Sequence, residues 1–366
     1  MTLSDVPDNS NPEIGPVQIE LLERLCNATS VSGDESEVRQ IVLELVKPFA
    51  DRVKVDPLGN VLVWREGKAP AGAVEGKRLR VMAAAHMDEV GFMLVDADSD
   101  GFFRFETIGG LDTRLLPGKP VLVGRDHIPG IIGAKPIHLT TAEERRRSIP
   151  IESLRIDVGS EAAAKVKIGD RATFATRFSQ LGPSLKAKAL DDRLGVAALI
   201  ELVKHAPENI DFLAAFTVQE ELGTRGARVA AYTFAPDMAF AIDATPALDL
   251  PTWDLSENTA YNTRLGDGPA IYLADARTLS DPRLVEHLAE TAKDAGIPFQ
   301  FRQPGGGGTD AGAIHRQREG IPSVSISTPC RYIHTPAAIA RLEDWRNTFG
   351  LLFESLTRLT PAVLAR

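Results

Sequence analysis

The pattern of secondary structure changes twice along the chain, and this constrains the fold more than any other feature. Before about residue 94 and after 183, short apolar runs such as LRVMAAA (79–85) alternate with segments of helical periodicity. From 94 to 183 the segments are short, alternate polar and apolar residues and are separated by Gly, Pro and Asp. The first pattern is typical of a mainly parallel sheet covered by helices on both faces. The second is typical of a small β-barrel or sandwich.

We therefore predict an α/β fold into which a small β module is inserted. The α/β domain is expected to be discontinuous, comprising 1–93 and 184–366, and the inserted domain is expected over 94–183. A length of 366 residues also favours two domains over one.

Apolar periodicity and turn residues predict the individual elements of the α/β domain. Ser32 and Asp34 are the expected capping residues of the second helix. Helices are predicted over 17–30, 35–49, 193–205, 222–231, 281–295 and 337–358. Strands are predicted in the hairpin RVKVD-PLGN-VLVWR and over 79–85, 212–218, 238–242, 269–274, 298–302 and 323–327.

Composition excludes several classes of protein. A hydrophobic content of 43% and a charged content of 25% are those of a soluble globular protein. The net charge of −9 argues against binding to the nucleic-acid backbone. The first 16 residues lack the apolar core of an export signal, and no apolar run approaches the ~20 residues that span a bilayer. Two cysteines, Cys26 and Cys330, fit a reducing compartment. We expect a cytoplasmic protein that binds neither membrane nor nucleic acid.

Five acidic and histidine residues occur in contexts that predict a metal site. Three of them follow short apolar runs, and the ends of buried strands are where open α/β sheets carry their chemistry. Two carboxylate-rich metal sites that share a ligand are typical of hydrolysis by a metal-activated water. The five residues are His86, Asp191, Glu221, Asp243 and His334.

Each of these residues also has a structural interpretation when it is considered alone. Asp88 could hold the second nitrogen of the His86 imidazole or support another ligand. The pair Asp191-Asp192 and Asp243 could cap helices, and His334 could be a packing or surface histidine. It is the combination at the ends of neighbouring strands that favours a site.

The pair Glu220-Glu221 is more diagnostic than any single residue. The two residues directly follow the apolar run FLAAFTV, and adjacent carboxylates at the end of a buried strand are costly without a cation. Because their side chains diverge, one can bind a metal while its neighbour remains free as a base.

Other catalytic motifs do not fit the sequence. The segment GGGGTDAG (305–312) lacks the Lys-Ser/Thr ending of a P-loop, so its glycines are expected to allow close backbone approach, with Thr309 and Asp310 as polar support. No G-x-S-x-G elbow is present. A glycosidase could use two carboxylates but would leave the two histidines and Asp243 without a role. The remaining histidines are expected to be structural or exposed; they are His127, His138, His205, His287 and His315.

The segments HMDEVGFM, KALDDRLG, TVQEELGTRGA, LGDGPAI, GGGTDAGAIH and CRYIHTPA closely resemble the M42 family of metallo-aminopeptidases, also called tetrahedral aminopeptidases. The resemblance extends from about 18 to 358 with the segments in the family's order. It implies a zinc-peptidase-like α/β domain, with 94–183 as a β-barrel that mediates dimerisation.

The resemblance also implies a role for each site residue. His86, Asp191 and Asp243 would hold one divalent metal, and Asp191, Glu221 and His334 a second, so that Asp191 bridges the two. Glu220 would be the general base that activates the bridging water, and Asp88 a carboxylate that supports the ligands. Zinc is the expected metal, with cobalt or manganese as alternatives.

The activity expected from the resemblance is removal of N-terminal residues from short peptides by a cytoplasmic metallo-aminopeptidase. Dimers would join into a homododecamer. One alternative is a metal-dependent deblocking amidase or deacylase that acts on N-acylated substrates. Another, from a different class, is a catalytically silent peptide-binding or assembly protein on the same fold. The preferred N-terminal side chain is left open by the sequence.

Overall fold

A computed structural model describes residues 12–68, 78–259 and 262–365. The prediction that the chain lacks an export signal rests on the first 16 residues, and residues 1–11 of these lie outside the described ranges. In the described residues the helices are α1 (Pro16–Asn27), α2 (Ser36–Val46), α3 (Leu190–Lys204), α4 (Arg225–Phe234), α5 (Pro282–Ala295), α6 (Ala311–Ile314) and α7 (Leu342–Thr357).

The strands of the same residues form one large sheet and one barrel. They are β1 (Arg52–Val55), β2 (Val61–Arg65), β3 (Arg80–His86), β4 (Gly91–Ala97), β5 (Phe102–Ile108), β6 (Pro120–Val123), β7 (Ile128–Gly133), β8 (Arg155–Asp157), β9 (Arg171–Phe174), β10 (Ser179–Leu181), β11 (Ser184–Ala187), β12 (Asp211–Thr217), β13 (Met238–Pro246), β14 (Ala270–Tyr272), β15 (Gln300–Arg302), β16 (Ser323–Arg331) and β17 (Ala338–Arg341).

The large sheet has four parallel strands at its centre, in the order β12-β3-β13-β16. Antiparallel strands extend it on both sides, β2 and β1 beyond β12 and β17, β11 and β10 beyond β16. The pair β14 and β15 branches from β16. All four central strands therefore end at the same edge, and the chemistry predicted at strand ends falls there.

Helices cover both faces of this sheet because both faces of the central strands are apolar. On β3, Val81, Ala83 and Ala85 face a large core that also contains side chains of α1, α2, α3, α5 and α7. Met82 and Ala84 face the opposite way, into a smaller core formed with α4 and α6. Strands that are buried on both faces become continuous apolar runs in the sequence, which is why the run 79–85 predicted a central strand.

The inserted strands close into a six-stranded barrel in the order β4-β5-β8-β7-β6-β9. Its core is separate from that of the sheet and is centred on Phe92, Phe105 and Phe174, whose rings pack edge to face. We refer to this unit as the barrel and to the rest of the described chain as the α/β region. The predicted fold class, a mainly parallel α/β sheet with a small inserted barrel, is confirmed. The division of the chain at 93/94 and 183/184 stays a prediction.

Two local predictions are wrong. The last helix begins at Leu342 and not at 337, because 338–341 form β17, which pairs with β16 and β11. Ser32 and Asp34 do not cap α2, whose first turn follows Glu35 without a side-chain cap. Ser32 instead donates a hydrogen bond to Asp88, and Asp34 pairs with Arg125 of the barrel.

No helix in the described ranges is both long enough and apolar enough to cross a membrane.

Candidate metal centre

The register of the parallel strands brings the predicted site residues together. His86 at the end of β3 lies opposite Thr217 at the end of β12, so the turn that carries Glu220 and Glu221 begins beside the histidine. Asp243 lies in β13, on the other side of β3. His334 follows β16, and Asp191 lies at the start of α3, which packs across these strands. All five predicted ligands converge on this edge of the sheet.

Both imidazoles present Nε2 to the same carboxylate. His86 Nε2 lies 3.0 Å from Asp191 Oδ1, and His334 Nε2 lies 3.3 Å from Asp191 Oδ2. The second neighbour of His86 Nε2 is Asp243 Oδ1 at 3.8 Å, and that of His334 Nε2 is Glu221 Oε2 at 3.3 Å. Asp191 is therefore placed between two groups of ligands, one on each of its oxygens.

Backbone carbonyls hold the other nitrogen of each imidazole. His86 Nδ1 lies 3.1 Å from the carbonyl oxygen of Asp88, and His334 Nδ1 lies 3.0 Å from that of Gly110. Because a carbonyl oxygen only accepts, each Nδ1 carries a hydrogen, so the Nε2 that faces the carboxylates is the atom that can take either a proton or a cation. Metal-binding histidines are held in this way.

The carboxylate of Asp88 supports the turn that carries the two glutamates. Asp88 Oδ1 accepts a hydrogen bond from the Glu220 amide (3.0 Å), and Oδ2 accepts from the Glu221 amide (3.2 Å) and from Ser32 Oγ (2.6 Å). The distance from Asp88 Oδ1 to His86 Nδ1 is 3.6 Å, which is too long for a hydrogen bond. Of the two interpretations of Asp88, the geometry favours support of another ligand, and its carbonyl performs the task of holding His86.

Asp192 is buried beside Asp191 but differs from it in its partners. Its Oδ2 accepts from the His86 amide (3.3 Å) and its Oδ1 from the Gly195 amide (3.0 Å), three residues further on. The second bond is that of a helix N-cap, so the capping interpretation of this acidic pair applies to Asp192. The oxygens of Asp191 instead face the two histidines.

Two site segments have a left-handed backbone. Gln219, directly before the glutamates, has φ +56°, and His334 also has φ +56°. Non-glycine residues adopt this conformation at a cost and are concentrated at functional sites. Both residues lie outside regular secondary structure, in the turns that carry site residues.

Burial and mutual repulsion oppose ionisation of several of these acids. Burial raises the pKa of Glu221 to about 8, and the nearby Asp191 contributes to this rise. Burial likewise raises the pKa of Asp243 to about 6 and that of Asp310, behind the site, to about 7. The pKa of Glu220 lies well above its usual range, first because of burial and then because Asp243 and Asp310 are close.

The pKa values of the two histidines are raised as well, which for a histidine favours the charged form. Burial alone would lower the pKa of His86, but the carboxylates of Asp191, Asp243 and Asp88 raise it well above its ordinary value. His334 is raised to about 9 in the same way, chiefly by Asp191. Burial would raise the pKa of Asp191, but the two histidines lower it. The carboxylates therefore stabilise positive charge at the positions of the two imidazoles.

The donor set fits divalent cations. Ligand atoms of His86, Asp191 and Glu221 lie within 4.8 Å of one another, as do those of His86, Asp192 and Asp243. Within the described residues, the ion pairs of Asp191, Glu221 and Asp243 are with histidines only. Several buried carboxylates without a lysine or arginine are stabilised by a cation. Nitrogen and oxygen donors of this kind bind zinc, cobalt or manganese.

A glycine pair from the barrel completes the wall of the site. A Cβ on Gly109 would lie 3.3 Å from the Glu221 Cβ, and a Cβ on Gly110 would lie 3.3 Å from His334 Nδ1. Gly109 also has φ +80°, which favours glycine. Through these two glycines the barrel approaches one acidic ligand and one histidine with backbone atoms.

Comparison with known proteins agrees with this geometry. The profile of the M42 glutamyl aminopeptidases matches residues 59–351. The chain belongs to this family. A putative aminopeptidase of Acetivibrio thermocellus is 35% identical over 92% of this chain and 98% of its own length.

Solved structures of other peptidases show the same fold. An aminopeptidase from the archaeon Desulfurococcus kamchatkensis superimposes with a TM-score of 0.87 at 34% identity, covering 95% of this chain and 97% of the other. The TET1 peptidase of Pyrococcus horikoshii, which can assemble into a tetrahedron or a large octahedral shell, gives 0.80 at 33% identity, covering 93% and 100%. The predictions of an M42 chain and of a hydrolase that acts on peptide bonds are confirmed.

Sequence reasoning missed several residues that shape this M42 site. Ser32 was predicted to cap a helix but instead donates a hydrogen bond to Asp88. Gly109 and Gly110 have no side chain that would mark them as site residues. Arg193 is fully buried and contacts the carbonyls of Met87 and Asp88. The polar support expected from Asp310 is present, since its Oδ2 accepts from Thr217 Oγ1 at 2.5 Å. The position of Arg193 directly after Asp191 and Asp192 is the one feature of the sequence that points to it.

Proposed function

We propose that this M42 chain is a two-metal aminopeptidase that removes N-terminal residues from short peptides. The observation that carries the proposal is the position of Asp191, whose two oxygens face the Nε2 atoms of His86 and His334 at 3.0 and 3.3 Å. A carboxylate in this position can bridge two cations. Such a pair of cations is typical of aminopeptidases and other hydrolases.

The predicted ligand sets fit this arrangement. His86, Asp191 and Asp243 would hold one cation, and Asp191, Glu221 and His334 the other. Asp192 is the competing ligand on the first side, but backbone amides already occupy both of its oxygens. When bound, the cations would polarise the scissile carbonyl and acidify a water molecule.

Glu220 is the proposed general base. Its backbone is fixed by Asp88, and burial raises its pKa, which makes the carboxylate a better proton acceptor. It would accept the proton of the attacking water and return it to the nitrogen of the leaving amine. Glu221, which contacts His334 at 3.3 Å, would remain a ligand.

The acidic surroundings also explain why a free N-terminus should be required. An α-ammonium group that enters this cluster replaces its hydration by carboxylate partners, whereas an acylated nitrogen leaves those carboxylates unpaired. We expect N-acetylated peptides to react slower by roughly two orders of magnitude or more. This requirement distinguishes an aminopeptidase from a deblocking amidase.

The test combines metal removal with mass spectrometry. Protein dialysed against a chelator is incubated with a tetrapeptide and with its N-acetylated form, with and without added zinc, cobalt or manganese. We expect loss of activity without metal, recovery with at least one metal, and a ladder of N-terminal losses from the free peptide only. Full activity after exhaustive chelation would exclude the metal mechanism, and preferential release of the acetyl group would favour the deacylase.

We further propose a homo-oligomer, a dodecamer built from dimers joined through the barrel. The barrel region exposes large apolar side chains that a monomer would leave in water, with Ile137 72%, Leu139 59% and Ile168 58% exposed. The assembly of the Pyrococcus horikoshii TET1 peptidase into a tetrahedron or a large octahedral shell supports a closed homo-oligomer. Light scattering should give a mass about twelve times 39.5 kDa. A mass of one chain at every concentration would exclude the oligomer.

A further inference from the structure

Three buried charged side chains lie where the chain leaves the α/β region for the barrel and returns from it. Glu89 precedes β4, Lys188 follows β11, and Arg193 lies at the start of α3. Their side chains are 3%, 3% and 0% exposed. We call these three residues the junction cluster.

The carboxylate of Glu89 connects the barrel to the α/β region. Its Oε2 accepts from Thr173 Oγ1 of β9 at 2.9 Å and from Lys188 Nζ at 2.8 Å. Its Oε1 accepts from the Ser30 amide at 2.9 Å, from Lys188 Nζ at 2.8 Å and from Arg193 Nη2 at 3.3 Å. The contacts thus come from the loop after α1, from barrel strand β9, from the residue that follows sheet strand β11, and from α3.

Arg193 continues this network to the candidate metal centre. Its Nη1 donates to the carbonyl oxygens of Met87 (2.6 Å) and Asp88 (3.2 Å). The carbonyl of Asp88 is the same one that holds His86 Nδ1 at 3.1 Å. Arg193 therefore fixes the acceptor that orients the His86 ring, and it lies two residues after Asp191 on the same helix.

We propose that Glu89, Lys188 and Arg193 are positioning residues for the cation site. The affinity of that site for a cation then depends on how the barrel packs against the α/β region. The inference rests on the proposed function, since it assumes that His86 and Asp191 bind a cation. The network holds both segments that supply these ligands, and Thr173 attaches it to the barrel. Groups that orient metal-binding histidines typically change metal affinity or activity by 10–100-fold when altered.

A purely structural role would be an alternative, because buried ion pairs also stabilise the folded chain when they are complete. The chain offers a matched control. Glu201 lies in the same helix, ten residues after Asp191, is 3% exposed, and accepts from Lys204 Nζ at 2.7 Å and from Gln18 Nε2 at 3.2 Å. Glu89→Gln and Glu201→Gln each replace a buried, lysine-paired carboxylate by an amide of the same shape.

The test is calorimetric titration of Zn²⁺ into metal-free wild type, Glu89→Gln and Glu201→Gln, together with thermal unfolding of the metal-free proteins. We expect both variants to lose stability, but only Glu89→Gln to bind zinc about 10–100-fold more weakly. Its kcat should fall while KM is unchanged. Arg193→Lys keeps the positive charge but loses the guanidinium group that donates to the two carbonyl oxygens, and it should weaken zinc binding in the same way. Thr173→Val, which changes the barrel side of the network, should also weaken zinc binding, but by a smaller factor.

Wild-type zinc affinity in Glu89→Gln and Arg193→Lys, or an equal loss in Glu201→Gln, would overturn the inference and leave the proposed function intact. Absence of binding of zinc, cobalt and manganese alike by the wild-type chain would overturn both. If Glu89→Gln does not fold, Arg193→Lys and Thr173→Val decide the question by the same two measurements.

Discussion

The α/β region and the barrel use their strands differently. In β3 and β12 every residue after the first is buried, and the polar residues of these segments come at or beyond the strand ends. In β5 of the barrel exposed and buried residues alternate along most of the strand, as expected for a small barrel with one solvated face. The first arrangement concentrates polar side chains at one edge, whereas the second distributes them over the surface.

This difference explains what each region contributes to the site. All candidate ligands and the candidate base lie in the α/β region, at the edge where parallel strands end. The barrel contributes backbone and one hydroxyl: the Gly110 carbonyl holds His334, Gly109 packs against Glu221, and Thr173 holds Glu89. A region without a catalytic side chain can therefore still determine the geometry of the site.

The largest effect that this comparison predicts is at the two adjacent glutamates of the α/β region. Glu220→Gln should lower kcat by roughly 10²–10⁴-fold, because the base is lost, while the metal content is retained. Glu221→Gln should instead reduce the occupancy of the site that His334 shares, and excess metal should partly restore its activity. Steady-state kinetics combined with elemental analysis of each variant checks both expectations.

The two glutamates are controls for each other, since they are adjacent and both are held through Asp88. If Glu220→Gln loses metal while Glu221→Gln loses only rate, the two roles are reversed. If neither change affects the rate or the metal content, the active site does not lie at this edge of the sheet.

A smaller effect is expected from the backbone contribution of the barrel. In Gly110→Ala the new Cβ would lie 3.3 Å from His334 Nδ1, so the imidazole or the loop must shift. Because the carbonyl that orients His334 belongs to the same residue, we expect kcat/KM to fall about 10-fold.

The matched control for this change is Gly133→Ala, also in the barrel. Its Cβ would meet the Arg155 carbonyl oxygen at an ordinary 3.7 Å, and the residue is remote from the site along the chain. Equal activities of the two variants would mean that the barrel does not determine the geometry at His334.

The parts of the fold that the sequence predicted are those in which local pattern and tertiary structure agree. Residues 81–85 are apolar because β3 is buried on both faces, and His86 is the first polar residue after them. Where the two conflict, the prediction is wrong. Residues 338–341 favour helix by composition, yet pairing with β16 and β11 makes them a strand, since tertiary contacts override weak local propensity.

The parts of the site that could not be predicted depend on contacts between distant segments. Gly110 and His334 are 224 positions apart and meet through a carbonyl, a group that every residue possesses. Arg193 differs from a solvent-facing arginine only in its burial, which one sequence does not reveal. Side chains whose chemistry is distinctive were predicted, and backbone groups and neutral or structural partners were not.

The smallest predicted effect concerns an electrostatic contact between the two regions. Glu37 of α2 faces His127, in the turn between β6 and β7, with Oε1 2.5 Å from the His127 Nε2. Thr29 donates to the same carboxylate through its hydroxyl (2.8 Å) and its amide (2.9 Å). Burial would raise the pKa of Glu37, but these hydrogen bonds and His127 lower it below its ordinary 4.5.

A carboxyl group whose pKa is lowered by folding stabilises the folded state at pH above its unfolded value, and the contribution is lost as pH falls through the folded value. The melting temperature of the wild type should therefore exceed that of Glu37→Gln near neutral pH by no more than about 2 °C, since the pair is partly exposed. The difference should shrink once the pH falls below about 4.5. Acidic groups elsewhere titrate equally in both proteins, so the difference isolates Glu37. A difference that stays constant down to about pH 3.5 would show that the contact between α2 and the barrel does not depend on this charge.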